Sequence, residues 1–248
     1  MQLKQLCDFC QDYLDADAFN DYCPNGLQVE ANAEVRHIVC GVTASQALID
    51  AAIEAGADTL LVHHGYFWKG ESQAIAGFKG RRIASLIRNN INLLAYHLPL
   101  DAHAEVGNNV QLAKLMGWQL EGSFGEQGLI CEGRLPQPQT LQALSDDIER
   151  RLGSPALAIS GGDHSISRLA WCTGAAQGFI EAAAARGVDG FVSGEVSEPT
   201  FHYAREMGIH YIAAGHHATE RYGVQALAAL IAERFDVRQQ YIDIANPV

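Results

Sequence analysis

Six residues able to bind a metal ion fall in three short clusters, each where an apolar stretch ends. These are His63 and His64 after DTLLV, His97 and Asp101 after INLLAY, and His216 and Glu220 after YIAAG. Mixed imidazole and carboxylate donors suit zinc, manganese, iron or nickel. One catalytic zinc takes three or four protein ligands, so a set this large serves two divalent ions better than one. Two such ions would lower the pKa of a shared water toward about 7 and so supply a nucleophile for hydrolysis.

A lone histidine at a strand end is more often a hydrogen-bonded structural residue than a ligand, so the argument rests on the three clusters together. Neighbouring strand residues point to opposite faces. His63 and His64 therefore reach one site only if the chain leaves strand geometry, which Gly65 permits; otherwise each binds a different ion. Asp101, just past Pro99, is read as the bridging carboxylate, and Glu220, four residues past His216, as a terminal ligand at a helix start. His97 is a ligand or a partner that orients one, and it shares with Glu195 the candidate catalytic role. His103 and His217 are expected to support ligands or line the pocket.

The elements that must position these groups alternate. HIVCGV reads as a strand, SQALIDAAIEAG as a helix, TLLV as a strand, RRIASLIRNN as a helix, INLLAY as a strand and NNVQLAKLMG as a helix. The same order returns in SRLAWCTG, QGFIEAAAARG, GFVSGE, EPTFHYAREMG, HYIAAG and TERYGVQALAALIAERF. Gln46, Ile49, Gly56 and Asp58 map onto Gln177, Ile180, Gly187 and Asp189 at an offset of 131 residues. That offset carries His64 onto Glu195. At an offset of 119, His97 and Asp101 fall on His216 and Glu220. The expected fold class is therefore α/β: two interlinked, pseudo-repeated α/β domains with mainly parallel sheets flanked by helices. The Gly- and Pro-interrupted stretch 118–165 places the approximate boundary at 1–124 and 125–248, with the ligand loops facing one shared cleft.

Glu195 is read as a proton shuttle or the acceptor of a substrate NH. Its structural alternative, the N-cap of the helix EPTFHYAREMG, is better filled by Ser197. YFWKG, directly after the double histidine, puts aromatics and Lys69 beside the proposed site. Such aromatics usually pack in a core or an interface; the sharper reading gives Tyr66 and Lys69 to a substrate, through ring stacking and a phosphate contact. Pro24-Asn25-Gly26 reads only as a turn. Cys7 and Cys10 form a C-x-x-C, but within an amphipathic helix and without a second pair, which favours a structural reading.

A formal charge of −12 argues against broad binding to nucleic acid or anionic membranes. No Walker motif, G-x-G-x-x-G or G-x-S-x-G is present, which removes P-loop, Rossmann and α/β-hydrolase readings. The first residues lack the pattern of a signal peptide, no apolar run reaches membrane-span length, and the six cysteines need no disulfide framework. A cytoplasmic protein is expected.

PNGLQVE, GVTAS, LLVHHGYFWKG, HLPLDAH, SGEVSE and AAGHHATER, in this order and spanning nearly the whole chain, resemble the NIF-three-like family, known as GTP cyclohydrolase I type 2 homologues. The resemblance implies a dinuclear metal centre in a cleft between two α/β domains and a ring-shaped homohexamer. Carried over by position, the metal ligands are His63, His64, Asp101, His216 and Glu220, and His97 matches a further motif residue. The implied activity is hydrolysis of a nucleotide or related heterocycle. With GTP, water would attack C8 of the guanine ring while Glu195 or a histidine moves protons. The alternative is a metal-binding scaffold or metal-handling protein without turnover.

Overall fold

The computed structural model describes residues 1–248, and the chain forms two compact units, Met1–Val106 with Gly223–Ala245 and Gly107–Tyr222 with Asn246–Val248. The units interleave in sequence, so the expected break at 124/125 is replaced by crossings at 106/107 and 222/223. The reason is a hairpin: Phe124 pairs with Ile130 across the expected break, and a boundary there would sever a β-ladder.

In the first unit the chain runs α1 (Leu3–Tyr13), β1 (Gly26–Val29), β2 (His37–Thr43), α2 (Gln46–Glu54), β3 (Thr59–His64), α3 (Gly77–Arg88), β4 (Asn92–Ala95) and α4 (Leu98–Ala102). The second unit follows with α5 (Asn108–Met116), β5 (Gln119–Phe124), β6 (Ile130–Gln139), α6 (Leu141–Leu152), β7 (Leu157–Ile159), β8 (Ile166–Cys172), α7 (Ile180–Ala185), β9 (Gly190–Ser193), α8 (Glu198–Met207), β10 (His210–Ala213) and α9 (His216–Thr219). The chain then enters α10 (Arg221–Phe235) and returns to the first unit, ending in β11 (Arg238–Tyr241).

The first sheet has the order β1-β4-β3-β2-β11 and is parallel apart from the β1–β4 pair. Its central strands are apolar between their polar ends because both faces are covered. Ile38, Cys40, Leu61 and Leu94 pack with Leu3, Leu6, Leu227 and Ile231 of α1 and α10. Their alternates Val39, Leu60, Val62 and Leu93 pack with Leu48, Ile49, Ile83 and Leu86 of α2 and α3. The period-2 alternation of side chains thus feeds two cores from one continuous apolar run.

The second sheet, of order β5-β6-β8-β9-β10-β7, is more mixed than the sequence pattern indicates. Only β8, β9 and β10 run parallel, and the pairs β5–β6, β6–β8 and β7–β10 are antiparallel. The helices α5 and α6 bury Leu112, Met116, Leu144 and Ile148 against Trp171, Val192 and Ile212.

The repeat seen in sequence is a repeat of structure. Gly56 and Gly187 both close a helix in the left-handed region, at φ 68° and 69°. Two residues later, Asp58 Oδ2 accepts from the backbone N–H groups of Arg36 and His37 at 2.8 and 3.1 Å. Asp189 Oδ2 accepts from those of Ser167 and Arg168, both at 2.8 Å. Each aspartate ties the entry of one parallel strand to the start of the previous one, so four scattered identities in sequence mark one recurring βαβ joint.

Candidate metal centre

In the first unit β3 ends on His63 and His64, and β4 leads into His97 and then α4, which carries Asp101. His63 is fully buried, and its Nδ1 lies 2.9 Å from the Tyr96 carbonyl. A carbonyl can only accept, so Nδ1 carries a proton, and when the ring is neutral Nε2 presents a lone pair. That Nε2 lies 3.4 Å from Asp101 Oδ1. Two acceptors held at this separation are reconciled by a second ring proton or by a cation.

His64 Nδ1 lies 3.1 Å from the Thr43 hydroxyl oxygen, and His97 Nδ1 donates to Asp21 Oδ1 at 2.7 Å. The ring centroids are 4.6 Å apart for His63 and His64, 5.1 Å for His63 and His97, and 5.8 Å for His64 and His97. One ligand atom from each of the three lies within 4.8 Å of the others, so the adjacent histidines do reach one place. At Gly65 a Cβ would stand 2.2 Å from Gln28 Oε1 and 2.7 Å from Ala95 Cβ, which reserves that position for glycine.

Asp21 and Asn25 are the residues that sequence reasoning missed. Asn25 Oδ1 accepts from the His97 backbone N–H at 2.7 Å, Asn25 Nδ2 donates to Asp21 Oδ2 at 2.8 Å, and the Leu98 N–H donates to the same oxygen at 3.0 Å. Burial pushes the Asp21 carboxyl up, but the hydrogen bond and charge of His97, with help from Asn25 and Tyr22, bring it down to about 2. The turn was legible as Pro-Asn-Gly; that its flanking side chains clasp a histidine more than seventy residues later was not.

In the second unit Gly215, at φ 93°, turns the chain into α9, whose first residue is His216. Its Nδ1 donates to Glu195 Oε1 at 2.7 Å, and its Nε2 lies 3.1 Å from Glu220 Oε2. Burial lowers the pKa of this ring, yet the hydrogen bonds and charges of Glu220 and Glu195 outweigh it and raise it to about 9. Gly174 lies beneath the pair at φ 68°; a Cβ there would stand 2.0 Å from Glu220 Oε1 and 3.3 Å from His216 Nε2. Glu195 Oε2 accepts from Gln177 Nε2 at 3.4 Å. Both of its oxygens are therefore held within the protein, which makes Glu195 the group that orients His216. Ser197 does form the N-cap of α8, in a capping box with Thr200.

Tyr66 is corrected. Its side chain is 4% exposed and packs in the core, with the hydroxyl donating to the Ala44 carbonyl at 2.8 Å, so it faces no substrate. Within YFWKG the ring beside the histidines is that of Trp68, 5.0 Å from His97 and 5.8 Å from His64 between centroids. Lys69 is exposed. His103 is structural: its Nε2 donates to the Tyr13 carbonyl at 3.0 Å, while Nδ1 accepts from the Glu105 and Val106 N–H groups, both at 3.2 Å. His217 is buried within the second unit. Cys7 and Cys10 lie in α1, where burial raises both thiol pKa values.

The Duf34/NIF3 (NGG1p interacting factor 3) family profile matches residues 1–247. The chain belongs to this family. It is 53% identical over 248 residues to the GTP cyclohydrolase 1 type 2 homolog of Pseudomonas aeruginosa, covering 99% of this chain and 98% of that one. The solved structure of the structural-genomics protein ybgI, of unknown function, superposes with a TM-score of 0.97 at 50% identity over the whole of both chains. That of TTHA1606 from Thermus thermophilus gives 0.91 at 36% identity, again over the whole of both.

The donor sets of this NIF3 chain fit divalent metal ions. Each of the four imidazoles has its Nδ1 engaged by an oxygen, which fixes the ring and turns Nε2 outward as the coordinating atom, the arrangement that oriented metal-binding histidines need. In both units an Nε2 so directed stands against a buried carboxylate.

Proposed function

We propose that the protein is a hydrolase dependent on two divalent metal ions per chain, acting on a nucleotide or related heterocycle. His63, His64 and Asp101 of the first unit and His216 and Glu220 of the second would hold the ions, with His97 as a further donor. The observation that carries this reading is the opposition of His63 Nε2 to Asp101 Oδ1 at 3.4 Å, a pair of acceptors that a cation joins. The names of the relatives, GTP cyclohydrolase 1 type 2 homolog, support a nucleotide substrate. The family resemblance supports a homohexameric ring, and six cysteines in no disulfide, five of them buried, suit the reducing cytoplasm.

Bound divalent ions would supply Lewis-acid polarisation of a substrate oxygen and a water made acidic enough to attack at neutral pH. The chain's own part is orientation and the placing of protons. The Tyr96 carbonyl and Asp21 hold His63 and His97 in the tautomer that presents Nε2. Glu195 holds the proton on His216 Nδ1, and Nε2 would give up its proton to serve as a donor. Asp101 is a short carboxylate reached from α4, suited to serving two ions.

The test is turnover by protein reconstituted with zinc, manganese or iron, against GTP and other nucleotides, with products resolved by mass. A product that needs both metal and Asp101, absent from Asp101→Asn, is expected. Turnover retained at full rate in Asp101→Asn sinks the assignment, and tight metal binding without any product shifts the reading to a metal-handling protein.

A further inference from the structure

Two aromatic rings stand beside the histidines of the first unit without a part in holding metal, and their reading rests on the metal-dependent function above. Tyr22 is 60% exposed, and its ring lies 6.5 Å from that of His97 at 61°. Trp68 meets the same imidazole at 5.0 Å and 82°. Edge-on contacts of this kind occupy one edge or face of a ring, and Tyr22 keeps most of its surface in water.

Both aromatics are braced. The Trp68 indole N–H donates to the Gly65 carbonyl at 3.2 Å and its backbone N–H to Glu71 Oε2 at 3.2 Å. The Tyr22 N–H donates to Asp21 Oδ1 at 2.6 Å, the oxygen that also holds His97. The Tyr22 carbonyl accepts from the Lys69 N–H at 2.6 Å. One backbone hydrogen bond thus ties Tyr22 to the residue that follows Trp68, and one carboxylate ties Tyr22 to the imidazole cluster.

We propose that Tyr22 and Trp68 form an aromatic shelf that takes the planar ring of a purine-sized heterocycle next to the imidazole cluster, with Lys69 meeting an anionic substituent such as a phosphate. Stacking uses the π-face that every nucleobase has and recovers aromatic surface otherwise left in water. Lys69, exposed and adjacent in sequence to Trp68, supplies a local positive charge in a chain of net charge −12. The shelf explains why the exposed Tyr22 and the half-buried Trp68 stand here, a role that the buried Tyr66 cannot fill.

Metal-loaded full-length protein is titrated with guanosine, GMP and ribose 5-phosphate, following tryptophan emission and binding heat, with metal per chain measured in parallel. Of the three tryptophans, Trp118 and Trp171 are 7% and 0% exposed, so quenching by a stacked base reports on Trp68. Guanosine and GMP are expected to bind and quench, and ribose 5-phosphate to leave the emission unchanged. Tyr22→Leu and Trp68→Leu should each weaken guanosine binding, read as heat, about ten- to a hundredfold with metal content intact, and Lys69→Ala should bring GMP down to the affinity of guanosine. Equal guanosine affinity in wild type and both leucine variants overturns the proposal, as does a metal-holding protein that binds no nucleoside. A Tyr22→Leu variant that only splits the assembly, with nucleoside affinity unchanged, overturns it in favour of contact with a second copy. A chain that takes up no metal yet binds guanosine through Trp68 removes the metal reading and leaves the shelf standing.

Discussion

In the first unit three imidazoles gather near one acidic donor, Asp101, whereas in the second a single imidazole, His216, stands between two carboxylates. The groups behind the rings differ as well. A carbonyl, a hydroxyl and the Asp21 carboxylate stand behind the three rings of the first unit; only Glu195 stands behind that of the second. The second set is proton-loaded at neutral pH because its two negative charges raise the His216 ring to about 9. A metal ion arriving there must displace a proton, so affinity for it depends on pH. The two halves of one structural repeat thus offer a donor set rich in nitrogen and a donor set rich in oxygen.

The largest break in this comparison should come from Gly174→Val. Its Cβ would overlap Glu220 Oε1 at 2.0 Å, and the backbone there is left-handed at φ 68°. A β-branched residue in that conformation is strained, and a loss of about 2–4 kcal/mol in chemical denaturation is expected together with loss of metal from the oxygen-rich set.

The pH dependence separates the sets next. In metal-free protein the raised pKa of His216 gives stability that is fully present below the unfolded value near 6.5. It is lost as pH rises through about 9. The effect is on the order of 3 kcal/mol, visible in urea midpoints at pH 6 and pH 10. His216→Ala should remove that difference; an unchanged one would show that the ring is not protonated between its two carboxylates.

Asp21→Asn and Glu195→Gln sharpen the comparison, since each neutralises the carboxylate behind one imidazole. Removing such a partner costs about ten- to a hundredfold in metal affinity. Glu195→Gln should also lower the His216 pKa, because one of its two negative neighbours is gone. NMR titration of the ring distinguishes the variants: Asp21→Asn should leave the His216 resonance where it was. The smallest effect is expected from Thr43→Val, which removes one hydroxyl from His64 and should weaken metal binding only a few-fold.

Much of this molecule was legible before its structure. Residue type and strand-end position singled out the histidines and carboxylates that the structure gathers into clusters able to hold a metal ion, because strands that end side by side bring the residues just beyond them together. Alternating strands and helices identified α/β units, since a strand buried on both faces must be apolar throughout. The spacing of Gly56 and Asp58 against Gly187 and Asp189 identified the repeat, as a left-handed helix end followed by a carboxylate is a local requirement of the joint.

Other features were decided only by the tertiary fold. Tyr66 and Trp68 lie two residues apart in one aromatic run, and only packing sends the first into the core and leaves the second beside His97. The clasp of Asp21 and Asn25 on His97 joins positions far apart in sequence, and no local pattern encodes which side chain a turn will meet. The antiparallel flanks of the second sheet and the interleaved unit boundaries depend on strand pairing in the same way. Sequence determines what is local, the residue types, periods and turns; which of those residues meet, and therefore which nitrogen of each histidine is held by an oxygen behind it, depends on contacts that exist only once the chain has folded.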